Sequence, residues 1–127
     1  MDTLSTNFSL DQIAEYRQSA QSRYQEQQIQ TELLRKKAWD IAKQAAQLLR
    51  TRFHAARVVV FGSLIHEGCF TRWSDVDLAA WGIPSQDTFR ALGAVMDLSD
   101  EVEINLVDVN TCRSSLLEVI EKEGIDL

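Results

Sequence analysis

The sequence predicts an α+β domain in which a small mixed sheet is flanked by helices and entered through one long N-terminal helix. Three observations carry this. Residues 9–52 contain neither Gly nor Pro and are rich in Gln, Ala, Glu, Leu and Arg, which are good helix formers. Two short apolar runs, at 57–61 and 76–81, lie too close together for an ordinary crossover helix between them. A third run, at 101–107, alternates Val102, Ile104 and Leu106 against Glu101, Glu103 and Asn105, as a strand with one polar face does.

The elements follow in order. Within 9–52, steps of three and four residues trace Leu10, Ile13, Arg17, Ala20, Tyr24, Gln27, Thr31, Leu34, Ala38, Ile41, Ala45 and Leu48, a stripe apolar at both ends and polar in the middle. One unbroken helix of this extent is on the order of 65 Å long. Its first half then projects or meets a partner, and the alternative is a helical hairpin, although residues 25–30 offer no turn residue. The β-branched run at 57–61 ends at Gly62 and reads as a buried strand followed by a tight turn. Residues 63–74 form a loop with one helical turn at most, and 76–81 is the second strand, closed by Gly82 and Pro84. Residues 87–97 space Phe89, Leu92, Val95 and Met96 as one helix face. After the third strand, Asn110 or Thr111 is placed to cap a last helix running to Glu123, with Leu116, Leu117 and Ile120 inward and Gly124 at its C′ position. No repeat or linker divides the chain. It reads as one domain over 1–127, with a helical extension at 1–56 and a core at 57–127.

Composition narrows the function. At 45% hydrophobic and 25% charged, the 127 residues are ordinary for a globular domain. A net charge of −6 disfavours direct nucleic-acid binding, which needs clustered Lys and Arg to neutralise phosphates. Cys69 and Cys112 show no metal-ligand or redox spacing. The opening MDTLSTNFSL lacks the basic and apolar regions of a leader, and no apolar run approaches the roughly 18 residues that span a bilayer. The expectation is a reduced, cytoplasmic protein without a membrane segment.

Asp75-Val76-Asp77 opens the second strand, and the two-residue period of a strand sends both carboxylates to one side and Val76 and Leu78 to the other. Two carboxylates on one side suit Mg²⁺, a hard ion that takes one or two of them together with substrate phosphates and water. Alone, such a pair more often represents two exposed acids. Gly62-Ser63, directly after the preceding strand, adds a turn in which backbone N–H groups and a hydroxyl can cradle a phosphate. An isolated Gly-Ser is usually just a turn, but the combination describes a nucleoside triphosphate site.

The stretch VVVFGSLIHEGCFTRWSDVDLAAWGI resembles the minimal nucleotidyltransferases of the DNA polymerase β superfamily, whose signature is Gly-Ser, a short spacer and a strand-borne Asp-x-Asp. Here the motif is Gly62-Ser63, eleven residues, then Asp75 and Asp77. The resemblance covers 57–108 and extends plausibly to the last helix, and the long N-terminal helix lies beyond the common core. It implies a polymerase-β-like nucleotidyltransferase fold, Mg²⁺ held by Asp75 and Asp77, ATP as substrate, and nucleotide binding by Gly62 and Ser63. The family includes the antitoxins of HEPN/MNT toxin–antitoxin systems. It therefore implies transfer of AMP from ATP to a tyrosine of a HEPN-family toxin. The projecting N-terminal helix is the element expected to engage that toxin, with a homo- or hetero-oligomer left open.

One departure matters. Where the family places a third catalytic Asp on a later strand, this chain has Asn105, in Ile104-Asn105-Leu106-Val107. An amide is no general base and is a weaker ligand than a carboxylate. Glu103, two residues earlier on the same strand face, is a candidate catalytic substitute. Two rival functions stay open: a non-catalytic antitoxin that neutralises its toxin by binding, and a transferase acting on a small molecule of the aminoglycoside type. Among other residues, Asp108 reads as a strand-end acid and His54 and His66 as lone histidines, with His66 in the phosphate loop. Arg72 is placed to offset phosphate charge. Trp73 reads either as a wall of the base pocket or, with Trp81, as core. Arg35, Lys36 and Lys37 read as a solvated helix face.

Overall fold

A computed structural model describes residues 9–127. The reading of the opening MDTLSTNFSL as lacking leader features falls largely on residues 1–8, outside the described residues. Helix α1 (Leu10–Arg52) is helical without a break, so residues 25–30 make no hairpin turn. A reciprocal capping box starts it: the Ser9 hydroxyl accepts the Gln12 N–H at 3.1 Å, and the Gln12 side-chain oxygen accepts the Ser9 N–H at 2.9 Å. At the other end His54 takes a positive φ of 63°, while Phe53 and Ala55 both donate to the Leu49 carbonyl. This closing arrangement satisfies carbonyls that the helix leaves open, and it accounts for one of the two lone histidines.

The chain forms two compact units, one up to Leu33 and the other from Leu34 onward. In the first, every described side chain is exposed apart from Ala20 and Thr31, which are half-buried. Leu10, Ile13, Tyr16, Tyr24, Ile29 and Leu33 are large apolar or aromatic groups in water. The predicted stripe thus has nothing to bury against within this unit.

The second unit contains the sheet. Strands β1 (Arg57–Phe61), β2 (Val76–Trp81), β3 (Ile104–Asp108) and β4 (Ile125–Asp126) lie in the order β3-β2-β1-β4. β1 is antiparallel to β2 and β4, and β2 is parallel to β3. The parallel pair is joined through α2 (Thr88–Met96), as a crossover connection requires. On one face Val58, Val60, Val76, Leu78 and Ile104 pack with Ala38, Ile41, Ala42, Ala45 and Leu49 of α1 and with Ala91 and Val95 of α2. Alanines at the α1 contact let its backbone approach the sheet closely. On the other face Val59, Phe61 and Ala79 pack with Ile120 of α3 (Ser114–Glu123). The mixed α+β architecture with its long N-terminal helix is the one expected.

The differences are local. β3 starts at Ile104 rather than 101, because residues 101 and 102 bend before the ladder begins. Of the predicted face of α2, Val95 is buried and Leu92 half-buried, but Phe89 is 87% exposed and Met96 is exposed, and Ala91 is buried in their place. The last helix starts at Ser114 rather than after Asn110 or Thr111: Asp108 accepts the Asn110 N–H on its side chain and the Thr111 and Cys112 N–H groups on its carbonyl, which uses those residues in a turn. Of the predicted inward set of α3, Ile120 is buried, and Leu116 and Leu117 are half-buried. Arg35 and Lys37 are not merely a solvated face, since Arg35 donates to the Leu64 carbonyl at 3.3 Å and Lys37 pairs with Glu101. β4 is only two residues long, which leaves no periodicity in the sequence to mark it.

Gly124 closes α3 with φ −64°, not in the left-handed conformation expected at C′. Its requirement is space: a Cβ there would lie 2.2 Å from Val59 Cγ1 and 2.5 Å from the Ile120 carbonyl oxygen. Gly124→Ala is expected to cost about 1–3 kcal/mol through overpacking, read as a lower denaturant midpoint at unchanged m-value; an unchanged midpoint would show that α3 shifts freely.

Candidate metal and nucleotide site

The site forms where β1 ends and β2 and β3 begin. Antiparallel register sets Phe61 opposite Asp77, so the turn leaving β1 lies beside the Asp77 side chain. That turn is one short 3-10 helix, Gly62–Ile65. Gly62 has φ 82°, and a Cβ there would stand 2.5 Å from Asp77 Oδ2. Backbone and carboxylate are therefore in a contact that no side chain could interrupt. Ser63 follows, half-buried, its carbonyl accepting the His66 N–H at 3.3 Å.

Asp75 and Asp77 are half-buried, while Val76 and Leu78 are fully buried on the opposite face, as strand alternation demands. The parallel register pairs Asp77 with Asn105. Asn105 Nδ2 donates to Asp75 Oδ2 at 3.1 Å and to Asp77 Oδ1 at 3.4 Å. One amide thus bridges both carboxylates. The main-chain carbonyl of Glu103 accepts the Val76 N–H at 2.8 Å, and the exposed Glu103 residue lines a cleft next to Asp75 rather than bonding to the aspartates.

A second device, weakly marked in the sequence, positions Asp75. The Thr71 carbonyl accepts the Ser74 N–H at 3.0 Å, and the Ser74 hydroxyl accepts the Thr71 N–H at 2.9 Å. This locks the turn that delivers the chain to β2. Its only signal is the Thr-x-x-Ser spacing, which is common in loops. Arg72 stacks over Trp73 with its guanidinium carbon 4.6 Å from the ring centroid, and Trp73 is 79% exposed and so not core. Trp81 is half-buried under Arg57. His66 lies 4.0 Å from Glu123, away from the aspartate pair's hydrogen bonds.

Burial raises the Asp77 carboxyl above its ordinary range; the Asn105 hydrogen bond works against this and the neighbouring Asp75 charge adds to it. The native chain therefore keeps a proton on Asp77 at pH values where the unfolded chain has released it. Stability from this group is greatest in acid and declines as pH rises from the ordinary aspartate range through the raised value. Without divalent cations, Asp77→Asn is expected to gain in Tm relative to the parent across that rise. A Tm difference independent of pH would remove the electrostatic cost assigned here.

Among the described residues no three His, Cys, Asp or Glu side chains are grouped to hold a metal. The donor set is two carboxylates and one amide. It still fits a Mg²⁺ ion that shares its remaining ligands with phosphates: both carboxylates already converge on a single hydrogen-bond donor, the positive end of which a cation replaces, and amide rotation offers Asn105 Oδ1 as a neutral ligand.

No family model and no curated protein matches the chain. Among solved structures it is similar to a chain of the toxin–antitoxin MntA-HpeT mutant, with a TM-score of 0.54 and 18% identity over 67% of this chain and 70% of that one. At that identity the likeness is one of fold. Among the described residues no helix is long and apolar enough to cross a membrane.

Proposed function

We propose that this chain is an antitoxin with Mg²⁺-dependent nucleotidyltransferase activity, moving AMP from ATP to a tyrosine hydroxyl of a partner HEPN-family toxin. The observation that carries the reading is the convergence of Asp75 and Asp77 beside the Gly62 turn, with Asn105 in register next to them. Further support comes from the similar fold of the MntA-HpeT protein, a toxin–antitoxin pair in a mutant form that changes two aspartates, spaced as Asp75 and Asp77 are, to glutamate. The exposed apolar and aromatic side chains between Leu10 and Leu33 offer the partner a surface.

In this mechanism the tyrosine oxygen forms a bond to the α-phosphorus of ATP while the bond from that phosphorus to the bridging oxygen breaks, and pyrophosphate leaves. Gly62 and Ser63 hold the triphosphate tail through backbone N–H groups and hydroxyl. Asp75 and Asp77 would hold Mg²⁺, which when bound would offset charge on the phosphates. Glu103, lining the cleft that Asp75 also lines, takes the proton from the acceptor hydroxyl, since Asn105 has no basic site for it.

The test is intact-mass spectrometry of the HEPN chain that co-purifies with this protein. Additions of whole AMP units are expected only when this chain, ATP and Mg²⁺ are all present. An unmodified partner under those conditions sinks the transferase reading.

The Asn105 bridge favours one second reading, an antitoxin that acts by binding alone, because the amide satisfies both carboxylates without a cation. In that case toxin inhibition is stoichiometric and indifferent to changes at Asp75 and Asp77. Asn105→Asp separates the two. A third carboxylate in that register is expected to lower the metal-free Tm by repulsion, to make Tm rise with Mg²⁺, and to increase AMP transfer roughly 10- to 100-fold, the scale of changes around a bound metal. Unchanged transfer with a Mg²⁺-indifferent Tm would argue for binding alone.

A further inference from the structure

Sheet order places two different features on opposite sides of the aspartate pair. The Gly62–Ile65 turn leaves β1 on one side. On the other, at the leading ends of β2 and β3, lies a cleft of about 390 Å³ lined by Arg72, Trp73, Asp75, Met96, Asp100 and Glu103 among others. Displacement at phosphorus runs in line, with the entering and leaving oxygens on opposite sides. A triphosphate tail seated on the β1 turn therefore leaves the β3 side for the acceptor.

The cleft's surface says what that acceptor carries. Trp73 is 79% exposed and Met96 is 45% exposed, large apolar surface left open at the cleft. Phe89, seven residues before Met96 on α2, is 87% exposed as well but lies outside the lining. Charge is unbalanced as well. Glu101 is paired with Lys37, but among the described residues Asp100 and Glu103 enter no ion pair, and Arg72, the cation of the lining, is stacked on Trp73.

We infer that this cleft is the acceptor subsite, and that it takes a protein segment whose hydroxyl-bearing residue is flanked by Lys or Arg and by an apolar side chain. The cationic flank faces Asp100, the apolar side chain covers Met96, and the hydroxyl reaches Asp75 and Glu103. The inference rests on the proposed transferase reading and names its substrate class. Charge complementarity and continuity with Asp75 select this occupant.

The test needs neither ATP nor Mg²⁺. Two tyrosine peptides, identical except for lysine or glutamate flanks, are titrated into the ¹⁵N-labelled full chain, with the Trp73 indole signal assigned from Trp73→Phe. The lysine-flanked peptide is expected to shift that signal and the amides of residues 99–103, with a Kd about ten-fold below that of the other peptide, as one exposed charge pair, an aromatic contact and the like-charge repulsion met by the glutamate flanks supply. Asp100→Asn with Trp73→Ala is expected to raise that Kd about five-fold or more while signals of the Val59–Ile120 face stay in place. Equal affinity for the two peptides, shifts confined to other residues, or equally tight binding of spermine at the same signals overturns the assignment, the last by making the occupant a small polycation. Binding as expected without AMP transfer when ATP and Mg²⁺ are added leaves the subsite standing and counts against the transferase; transfer to the toxin with none of these shifts does the reverse.

Discussion

Asp75→Ala combined with Asp77→Ala is expected to lower AMP transfer to the partner by at least about 10³-fold, while the chain stays folded and still binds its toxin. The expected size follows from what the two carboxylates do: they supply the only full negative charges among the three side chains joined by hydrogen bonds, and charge stabilisation at phosphorus is the largest contribution such a site makes. Folding does not depend on them. Asp77 carries a cost from burial and from the nearby Asp75 charge, so the metal-free Tm of the double variant is expected to match or exceed the parent's. Asn105 loses both acceptors but is exposed, and water takes their place. Transfer continuing in the double variant would remove these residues from the chemistry and turn attention to Glu103.

Gly62→Ala is expected to cost both stability and activity, for separable reasons. A left-handed backbone at φ 82° costs a residue with a Cβ about 1–2 kcal/mol, which lowers Tm by about 3–8 °C in a domain of this size. The added Cβ would also stand 2.5 Å from Asp77 Oδ2, which forces the carboxylate or the turn aside and is expected to reduce transfer about 10²-fold. Gly68 supplies the control. Its φ is 79°, yet nothing lies within 4 Å of a Cβ placed there. Gly68→Ala should lose comparable stability and retain most of its transfer. If both variants lose activity in proportion to their Tm, the close approach of Gly62 to Asp77 has no specific role.

Much of the candidate site's arrangement was legible because its geometry is local. Strand alternation alone puts Asp75 and Asp77 together and Val76 opposite, and a Gly at a strand end announces a turn whatever surrounds it. The same holds for β1 and β2, which are short, β-branched or apolar, and bounded by glycine, and for α1, where the absence of breakers over so many residues leaves no other regular structure. Helix faces were less secure. α2 exposes Phe89 and buries Ala91, because the space between α2 and the sheet admits a small side chain there, and hydropathy does not encode that space.

What the chain determined by itself is the set of elements and the presence of a paired-carboxylate motif after a Gly-Ser turn, since these depend on residues a few positions apart. Strand order and register are different in kind. That β2 lies between β1 and β3 brings Gly62 against Asp77 and Asn105 across both aspartates, contacts between residues 15 to 30 positions apart in the chain. The same order separates the Gly62–Ile65 turn from the cleft at Trp73 and Asp100. Only packing of the whole sheet decides these juxtapositions, because a strand's pattern says which face is buried but not which neighbour it hydrogen-bonds.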